Sequence, residues 1–455
     1  SANETLTQSQ IDSLQKDIVW FETQTINGEL YVVPKIYLTK ATRDSLNNNN
    51  KFATKPTIMA MGEIQLDSNS LINSGSIVGN NITISTTNDI TNNNFSDITA
   101  TNNLNLTSNS GSIINFSKLK AAGAVSLTAQ NNITNTATVK TNASNLLNTG
   151  NPAYISSASA SANSGNISSS LIETAIIEAG SININAGNDF NNYGANITTT
   201  VGDLNILAGD DINFNTVQLR NRSEYRSKKY TKITDETKNI GSNINIGGNL
   251  VINAGNNALI KGSNINVDGN ANINTTGDLS IVSATDSYYK FEESSKKGSF
   301  GRRSSSSSTK SSTTNVESNI NVAGDINSNS QKNINIIASN LSSATGDINL
   351  VAKDQINILS GQDFSETIVT SKKRGLTTMA NSLKLNQSTT QVSSDIKATN
   401  GSLSIASGNN INILASNLDA ASNVIIAAGR HVDGYGAVTT NLDANVNILS
   451  ANNKD

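Results

Sequence analysis

The stretch 241–283, GSNINIGGNLVINAGNNALIKGSNINVDGNANINTTGDLSIVS, contains nearly the same sequence twice. Residues 241–246, GSNINI, return as residues 262–267, GSNINV, and the Gly-Asn pair at Gly248 returns in the same phase at Gly269. Apolar residues two apart are typical of a β-strand, whose successive side chains point to opposite faces. Gly followed by Asn or Asp is typical of a turn. The repeated unit therefore predicts short strands separated by tight turns.

The same ladder recurs in other parts of the chain. The apolar pairs that begin at Ile82, Leu104 and Val125 follow one another at nearly the same spacing, and the tripeptide Gly-Asp-Ile at Gly324 recurs at Gly346. One such unit cannot bury its apolar face alone, but stacked units place isoleucine on isoleucine and close the backbone hydrogen bonds about 4.8 Å apart. Asparagines at equivalent positions can then stack as amide ladders.

This repeat predicts an all-β chain folded as a right-handed parallel β-helix with about 21–22 residues per coil. A leucine-rich repeat has an overlapping period, but no helical stretch lies between the strands and leucine is not the ladder residue. A propeller needs a period of about 40 residues. Residues outside the interruptions described below would give roughly 14 coils and a shaft on the order of 65–70 Å.

Composition limits the functional classes. Asparagine makes up roughly one residue in six, aromatic residues make up 4%, and the chain has 0 cysteines and 1 histidine. The commonest nucleophilic, metal-ligating and acid–base residues are therefore almost absent, so we predict no cofactor, no metal and no enzymatic activity. There is no apolar run of 18 or more residues and no N-terminal export signal. Any such signal is expected outside this sequence.

Three basic excursions interrupt the ladder, at about 219–240, 284–317 and 362–395. They contain 17 of the 32 Lys and Arg residues, and their β-rich arms around a charged middle predict hairpins. Such hairpins are either solvated loops or a contact surface for an anionic partner, with tyrosines adding flat contact area. The candidate contacts are Arg220, Arg222, Tyr225, Arg226, Lys228, Lys229, Tyr230, Tyr288, Tyr289, Lys296, Lys297, Arg302, Arg303, Lys372, Lys373 and Arg374.

The N-terminal segment, 1–54, has a different pattern from the β-helix predicted for 55–455. A capping pattern at Thr7 precedes apolar residues at helical spacing, which predicts a short helix. Two strands around Asn27-Gly28 predict a hairpin. Trp20 lies on the first of these strands, and we expect it to pack over the exposed first coil of the solenoid.

Few residues suggest catalysis. Asp189 and Asp211 occupy equivalent positions of successive repeats and are expected to stack on adjacent coils beside Asp210. Paired acids could share a proton or bind a cation, but Asp after Gly is an ordinary turn residue in this sequence. His431 has no evident charge partner nearby and is expected in a turn. Basic hairpins could also grip a phosphate backbone, but the acidic shaft and the absence of a known binding module argue against a nucleic-acid partner.

The chain opens with TQSQIDSLQKDIVW (7–20) and NGELYVVPKIYL (27–38), and continues with GEIQLDSNSLINSGSIVGNNITI (62–84). This combination resembles the start of a haemagglutinin-repeat segment in filamentous-haemagglutinin-like exoproteins. Insertions such as TIVTSKKRGLTTMANS (367–382) are similar to the Ser/Thr/Lys-rich insertions that mark these repeats. The resemblance covers essentially the whole chain. It implies export by the two-partner route through an outer-membrane transporter, and a secreted filament at the bacterial cell surface.

The resemblance leaves two branches open. One is the stick of a CdiA-type contact-dependent growth inhibition toxin, in which such a region is associated with carrying the toxin across the target cell's outer membrane. Its expected partners are the target surface, through lipid, polysaccharide or an outer-membrane protein, and the flanking domains of the same exoprotein. The other branch is a filamentous adhesin that binds host surface glycans. A carbohydrate-active enzyme on the same β-helix is the remaining alternative.

Overall fold

The structure, a computed structural model, describes residues 6–16, 18–26, 29–39, 55–144, 164–432 and 438–454. The chain divides into two compact units, Ser1–Pro56 and Thr57–Asp455. Among the described residues, no helix has the length and apolar character needed to cross a membrane.

The first unit contains a short helix, Gln8–Asp12, and an antiparallel hairpin of strands Ile18–Ile26 and Glu29–Tyr37. The helix has the predicted cap: the Thr7 N–H donates to Gln10 Oε1 at 2.9 Å, and the Gln10 N–H donates to Thr7 Oγ1 at 3.4 Å. The predicted turn at Asn27-Gly28 lies outside the described residues. The packing expected of Trp20 stays a prediction.

The second unit is the parallel β-helix that the repeat predicts. In the described part of the chain, three parallel sheets of 12 strands each form its walls, and the coils visit sheets 1, 2 and 3 in turn. Each strand pairs in register with strands of the neighbouring coils, as Ile265 does with Ile244 and Ile320. Sheet 1 contains Glu63–Ser68, Asn81–Thr86, Leu104–Ser108, Ala124–Ala129, Ser181–Ala186, Leu204–Ala208, Leu250–Ala254, Ala271–Thr275, Ile326–Ser330, Ile348–Ala352, Leu403–Ser407 and Val424–Ala427. Sheet 2 contains Leu71–Asn73, Ile90–Asn92, Ile113–Asn115, Ile133–Thr136, Phe190–Tyr193, Ile212–Asn215, Ala258–Lys261, Leu279–Val282, Ile334–Ile337, Ile356–Leu359, Ile411–Leu414 and Val446–Leu449. Sheet 3 contains Thr57–Met59, Ser76–Gly79, Asp97–Ala100, Lys118–Ala121, Ile176–Ala179, Asn196–Thr199, Asn243–Ile246, Asn264–Val267, Asn319–Val322, Asn340–Ser343, Asp395–Ala398 and Asn417–Ala420.

The core is a continuous column of aliphatic side chains inside the coils. Between the terminal coils, alternate residues of the short strands point inward and are buried, as Ile182, Leu204 and Leu250 are on three successive coils of sheet 1. Burying one such side chain is worth about 1.5–3 kcal/mol. The column is shared between coils, so no coil has a core of its own.

A buried asparagine ladder follows the corner after sheet 2 in the first half of the shaft. The side chains of Asn73, Asn92, Asn115, Asn135 and Asn192 are stacked, and each Nδ2 donates to the Oδ1 of the next at 2.7–2.8 Å. This arrangement satisfies amides that would otherwise be costly to bury.

Serine takes over this role in the second half, at the start of sheet 3. The backbone N–H groups of Ser242, Ser263, Ser318, Ser339 and Ser394 each donate to the hydroxyl of the next coil's serine at 3.1–3.3 Å, and the last acceptor is Ser416. The five donating serines are fully buried. The polar corner is therefore satisfied along the shaft.

Glycine precedes two of these serines because the backbones approach closely. A Cβ placed on Gly241 would lie 1.8 Å from the carbonyl oxygen of Gly262, and Gly262 has a φ of 54°. No L side chain fits the first position, and the second is strained for any residue but glycine. The repeated GSN motif is thus a steric requirement of stacking.

Within the described residues, four long hairpins project from the shaft. Hairpin 1 pairs Thr138–Ser144 with Ser164–Glu173, hairpin 2 pairs Val217–Arg226 with Tyr230–Ile240, hairpin 3 pairs Ala284–Lys297 with Arg303–Val316, and hairpin 4 pairs Gly361–Arg374 with Met379–Val392. A 3₁₀ turn, Ser299–Gly301, lies at the tip of hairpin 3. Hairpins 2 to 4 match the predicted excursions.

The expectation of three excursions and about 14 coils was wrong. Hairpin 1 was not predicted, and its residues do not contribute to the coils, so that the described part of each long sheet has 12 strands. At about 4.8 Å per coil, 12 coils give a shaft about 58 Å long. His431 was also misplaced, since it lies in a short strand, Arg430–Val432, which pairs with Val438–Thr440 rather than forming a turn.

The hairpins do not project separately. Within the described residues they form one antiparallel sheet of 8 strands, here called the hairpin sheet, in the order of the chain. All four leave the coil at the same corner, between sheets 2 and 3, and successive hairpins are two coils apart. Two coils rise about 9.6 Å, which is also the width of two paired strands. Each hairpin therefore reaches its neighbours in hydrogen-bonding position.

The shared core predicts unequal effects for two adjacent residues of one strand. Ile265 is fully buried, so Ile265→Ala should reduce the free energy of unfolding by about 2–5 kcal/mol. Asn266 is exposed, and its Nδ2 donates to Asn245 Oδ1 at 2.9 Å, so Asn266→Ala should remove about 1 kcal/mol. Urea unfolding followed by circular dichroism measures both. Equal effects would mean that the outer amide ladder contributes as much as the core.

Candidate contact surface on the hairpin sheet

All sixteen predicted contact residues lie in hairpins 2, 3 and 4. Those of hairpin 2 are distributed along its first strand and at its turn, where Lys228 and Lys229 are exposed. The basic residues of hairpins 3 and 4 lie at the distal ends of the strands, and Arg302 is in the turn of hairpin 3. The structure separates the predicted set into arginines that are already paired and cations that are not.

Three arginines of hairpin 2 belong to an internal ion-pair network. Arg220 Nη2 lies 2.7 Å and Arg222 Nη1 lies 2.9 Å from Asp235 Oδ2 on the partner strand. Arg222 Nη2 also lies 3.0 Å from Glu224 Oε2, and Arg226 donates to the other oxygen of Glu224. These three arginines, which were predicted as surface contacts, share two acidic partners within the sheet, and Arg220 and Arg226 remain 42% and 48% exposed. Sequence reasoning missed both acidic partners, although the period of two in RNRSEYR places Arg222, Glu224 and Arg226 on one face.

The network shifts the pKa values of its acids. Burial raises the pKa of Glu224, but hydrogen bonds from Arg226 and Arg222 outweigh burial and leave it below its ordinary value of 4.5. Burial likewise raises the pKa of Asp235, and the bonds from Arg220 and Arg222 outweigh it in the same way. Both acids are therefore ionised at neutral pH, with their partners charged.

The four predicted tyrosines are exposed but do not share one face. The rings of Tyr225 and Tyr230 lie 6.1 Å apart between centroids, tilted by 45°. The strand register places Tyr288 on the same face as this pair and Tyr289 on the opposite face. Tyr225 and Tyr230 lie near the turn of hairpin 2, whereas Tyr288 lies six residues, about 20 Å, farther along the sheet from that turn.

The tips of hairpins 3 and 4 form a concave basic site. Lys297 lies opposite Arg303, and Arg303 lies opposite Arg374 on the next strand, so three cations form a row across the sheet. Lys372 lies on the same face, two residues before Arg374. In the part of the chain that the structure describes, none of the four has an ion pair. The site is a cavity of about 360 Å³ lined by Ser295, Lys296, Lys297, Arg303, Ser304, Ser305, Lys372, Lys373, Arg374, Met379 and Asn381.

The acidic cluster on the shaft has a structural role. Carboxylate oxygens of Asp189, Asp210 and Asp211 lie within 4.8 Å of one another. Asp189 Oδ1 accepts the Asp211 N–H at 3.2 Å, and Asp211 Oδ1 accepts the Asn257 N–H at 2.9 Å. These two acids hold the turn of the next coil, as Asp203 does for the N–H of Asn249 at 2.6 Å.

The hemagglutinin-repeat family model matches residues 68–232, 223–303 and 298–433, which include most of the shaft and all four hairpins. Among curated proteins, the tRNA nuclease CdiA of Yersinia mollaretii is 31% identical over 28% of this chain and 4% of its own length. The 16S rRNA endonuclease CdiA of Enterobacter cloacae is 31% identical over 22% of this chain and 3% of its own length. A toxin CdiA of Escherichia coli is 33% identical over 29% and 4%, respectively.

The chain thus spans only a small part of the length of these relatives. The activities in their names are those of the whole relatives. No solved structure is significantly similar to the chain.

The buried network predicts an acid-sensitive hairpin sheet. The folded-state pKa of Glu224 is below 4.5, so its contribution to stability is complete above that pH and is lost as the pH falls below it. Glu224→Gln should destabilise the sheet by about 3 kcal/mol at neutral pH, because it removes one of the two acidic partners of the mostly buried Arg222 guanidinium. The variant should also lose less stability on acidification. Thermal unfolding between about pH 3 and pH 7 tests both effects.

Glu293→Gln is the matched control, since Glu293 lies on the same face of the sheet but is exposed. It should behave as the wild type at every pH. A Glu224→Gln variant with an unchanged acid slope would show that Glu224 does not carry the pH dependence.

Proposed function

Because this chain belongs to the hemagglutinin-repeat family and forms a repeat region of a large secreted or cell-surface exoprotein, we propose that its hairpin sheet contacts the target cell during contact-dependent toxin delivery. In this proposal the β-helix is the structural shaft, and the hairpin tips engage the target's outer membrane or surface. The similarity to CdiA toxins supports the delivery role.

The observation that carries the proposal is the uncompensated basic surface of hairpins 3 and 4. Lys297, Arg303 and Arg374 are exposed, and the described part of the chain gives them no acidic partner. Bacterial surfaces carry anionic lipid and polysaccharide, and a basic cluster is attracted to such a surface over about one Debye length. A rigid shaft holds the cluster in place, so little ordering entropy opposes contact.

The partners follow from the same proposal. They are the lipid, polysaccharide or an outer-membrane protein of the target cell, the flanking domains of the exoprotein, and the outer-membrane transporter of the two-partner route during export. The proposal includes no nucleic acid and no enzymatic activity of this region.

A filamentous adhesin is the second candidate, favoured by the exposed tyrosines on one face of the hairpin sheet. Tyr225, Tyr230 and Tyr288 are between 37% and 48% exposed, and flat aromatic rings bearing hydroxyl groups suit contact with sugars. This surface is distinct from the basic tips, so the two candidates can be separated by substitution.

Binding to outer-membrane vesicles tests the delivery hypothesis. The wild-type chain should co-sediment with vesicles at low salt and be released as the ionic strength rises, because salt screens exposed charges. Combined Lys297→Gln, Arg303→Gln and Arg374→Gln should weaken binding about tenfold, which is about 1.4 kcal/mol.

A shaft variant with the same loss of charge, Lys261→Gln with Lys332→Gln and Lys353→Gln, is the control and should bind as the wild type does. Equal weakening in both variants would reduce the effect to net charge and contradict a role for the tips. Glycan binding that survives the tip substitutions but is lost in Tyr225→Ser with Tyr230→Ser would favour the adhesin.

A further inference from the structure

We infer that the tips of hairpins 3 and 4 together form a binding site for phosphate oxyanions, with a diphosphate or two neighbouring phosphate groups as the ligand class. The inference deepens the proposed function, on which it rests for the source of the phosphate. Oxyanion binding by the isolated chain does not depend on that source.

The strand register concentrates positive charge on one face. Lys297 and Arg303 are directly opposite, and so are Arg303 and Arg374, with Cβ atoms of such pairs about 4.5–5.5 Å apart. Lys372 lies opposite Ser305 on the same face, one row closer to the shaft. Four cationic groups therefore converge on a region about the size of a small anion cluster.

Like charges directly opposite one another in a sheet are destabilising unless a counter-charge is present. The nearest carboxylate on the strand of Lys297 is Glu293 on the same face, four residues and about 13 Å along the strand. On the strand of Arg374 it is Glu366, which is farther away. In hairpin 2 the counter-charge comes from the chain itself, because Glu224 and Asp235 form ion pairs with its arginines. The tips lack such acids, so their geometry suits an anion from outside the chain.

The chemistry of the lining fits phosphate in particular. Guanidinium groups donate to phosphate in a bidentate geometry, and the flexible lysines add point charges, Lys297 at one end of the row and Lys372 in the next row toward the shaft. The hydroxyl groups of Ser295 and Ser305 and the amide of Asn381 lie among the cations and supply neutral donors. The cavity of about 360 Å³ is at the small end of the range for ligand sites, which is about 300–1,000 Å³.

The site exists only because two hairpins pair. Lys297 and Arg303 belong to hairpin 3, whereas Lys372 and Arg374 belong to hairpin 4, and the strands that join them run in register from Arg303–Arg374 to Thr313–Phe364. A bound phosphate therefore bridges the hairpins at their open ends. Because it binds the paired state, it should stabilise the sheet by mass action.

Isothermal titration of the full chain with pyrophosphate, and separately with inorganic phosphate, tests the site. Arg303→Gln combined with Arg374→Gln should weaken pyrophosphate binding about tenfold or more, because two charge-assisted donors are lost. The variant should remain folded, since it relieves a like-charge contact, and thermal unfolding verifies this. Pyrophosphate should raise the unfolding midpoint of the wild type but not of the variant.

The matched control is Lys310→Gln with Lys384→Gln, which removes the same charge from strands of the same two hairpins but on the opposite face. Its affinity for pyrophosphate should stay within about twofold of the wild type, because neither lysine lines the cavity. Equal weakening in control and tip variants, or no weakening in the tip variant, would overturn the inference.

A vesicle arm separates the sources of phosphate. Vesicles of phosphatidic acid and phosphatidylcholine should bind the wild type and compete with pyrophosphate, whereas pure phosphatidylcholine vesicles should not. Pyrophosphate binding that depends on the tips, without vesicle binding, would support the site and contradict a lipid source. Vesicle binding that persists in the Arg303→Gln, Arg374→Gln variant would contradict the proposed role of the tips in surface contact, whereas the loss of pyrophosphate binding in that variant would still support the site.

Discussion

The spacing between hydrogen-bonded strands, about 4.8 Å, governs both parts of the second unit. It sets the rise of each coil, and it sets the width of each strand in the hairpin sheet. Since every hairpin has two strands and hairpins leave the same corner at every second coil, the two sheets remain in step over their length. A hairpin inserted one coil earlier or later would overlap its neighbour or leave a gap. The rise of the parallel coils thus sets the spacing of the hairpins in the antiparallel sheet.

Local pattern was sufficient to predict the shaft, because its stabilising contacts repeat at one period. Ile244 and Ile265 are neighbours in space since they are equivalent in sequence. Basic composition similarly marked hairpins 2 to 4. The sequence did not predict hairpin 1, because its arms, TVKTNAS and SGNISSSLIE, are rich in Ser and Thr and carry little charge. Their composition therefore resembles that of the repeat. The pairing of neighbouring hairpins was also not predicted, because it depends on the corner of the coil at which each hairpin is inserted.

The sequence predicted which residue types form the candidate site, but not which of them have an acidic partner. The sequence shows all the basic residues as charge clusters. It does not show that the arginines of hairpin 2 form ion pairs with acids of the same hairpin, because that depends on the strand register. Arg222 lies opposite Asp235 and on the same face as Glu224, whereas Arg303 lies opposite Lys297 and Arg374. The same residue type is thus structural at one position and available for a ligand at the other, because of its cross-strand neighbours.

The lengths of the hairpins also explain why the unpaired cations lie at the tips of hairpins 3 and 4. Hairpin 2 ends shortly before the distal end of the first strand of hairpin 3: Tyr230 pairs with Ser294, and the Ser295 N–H donates to the Lys229 carbonyl at 2.8 Å. The strand of hairpin 3 continues to Lys297, about 7 Å farther at two residues. Hairpin 4 follows hairpin 3 to the same height, since Arg374 pairs with Arg303. The paired arginines of hairpin 2 therefore lie lower on the sheet, where neutralisation stabilises it. The unpaired cations lie on the part that extends beyond hairpin 2, where an anionic ligand can reach them without moving another strand.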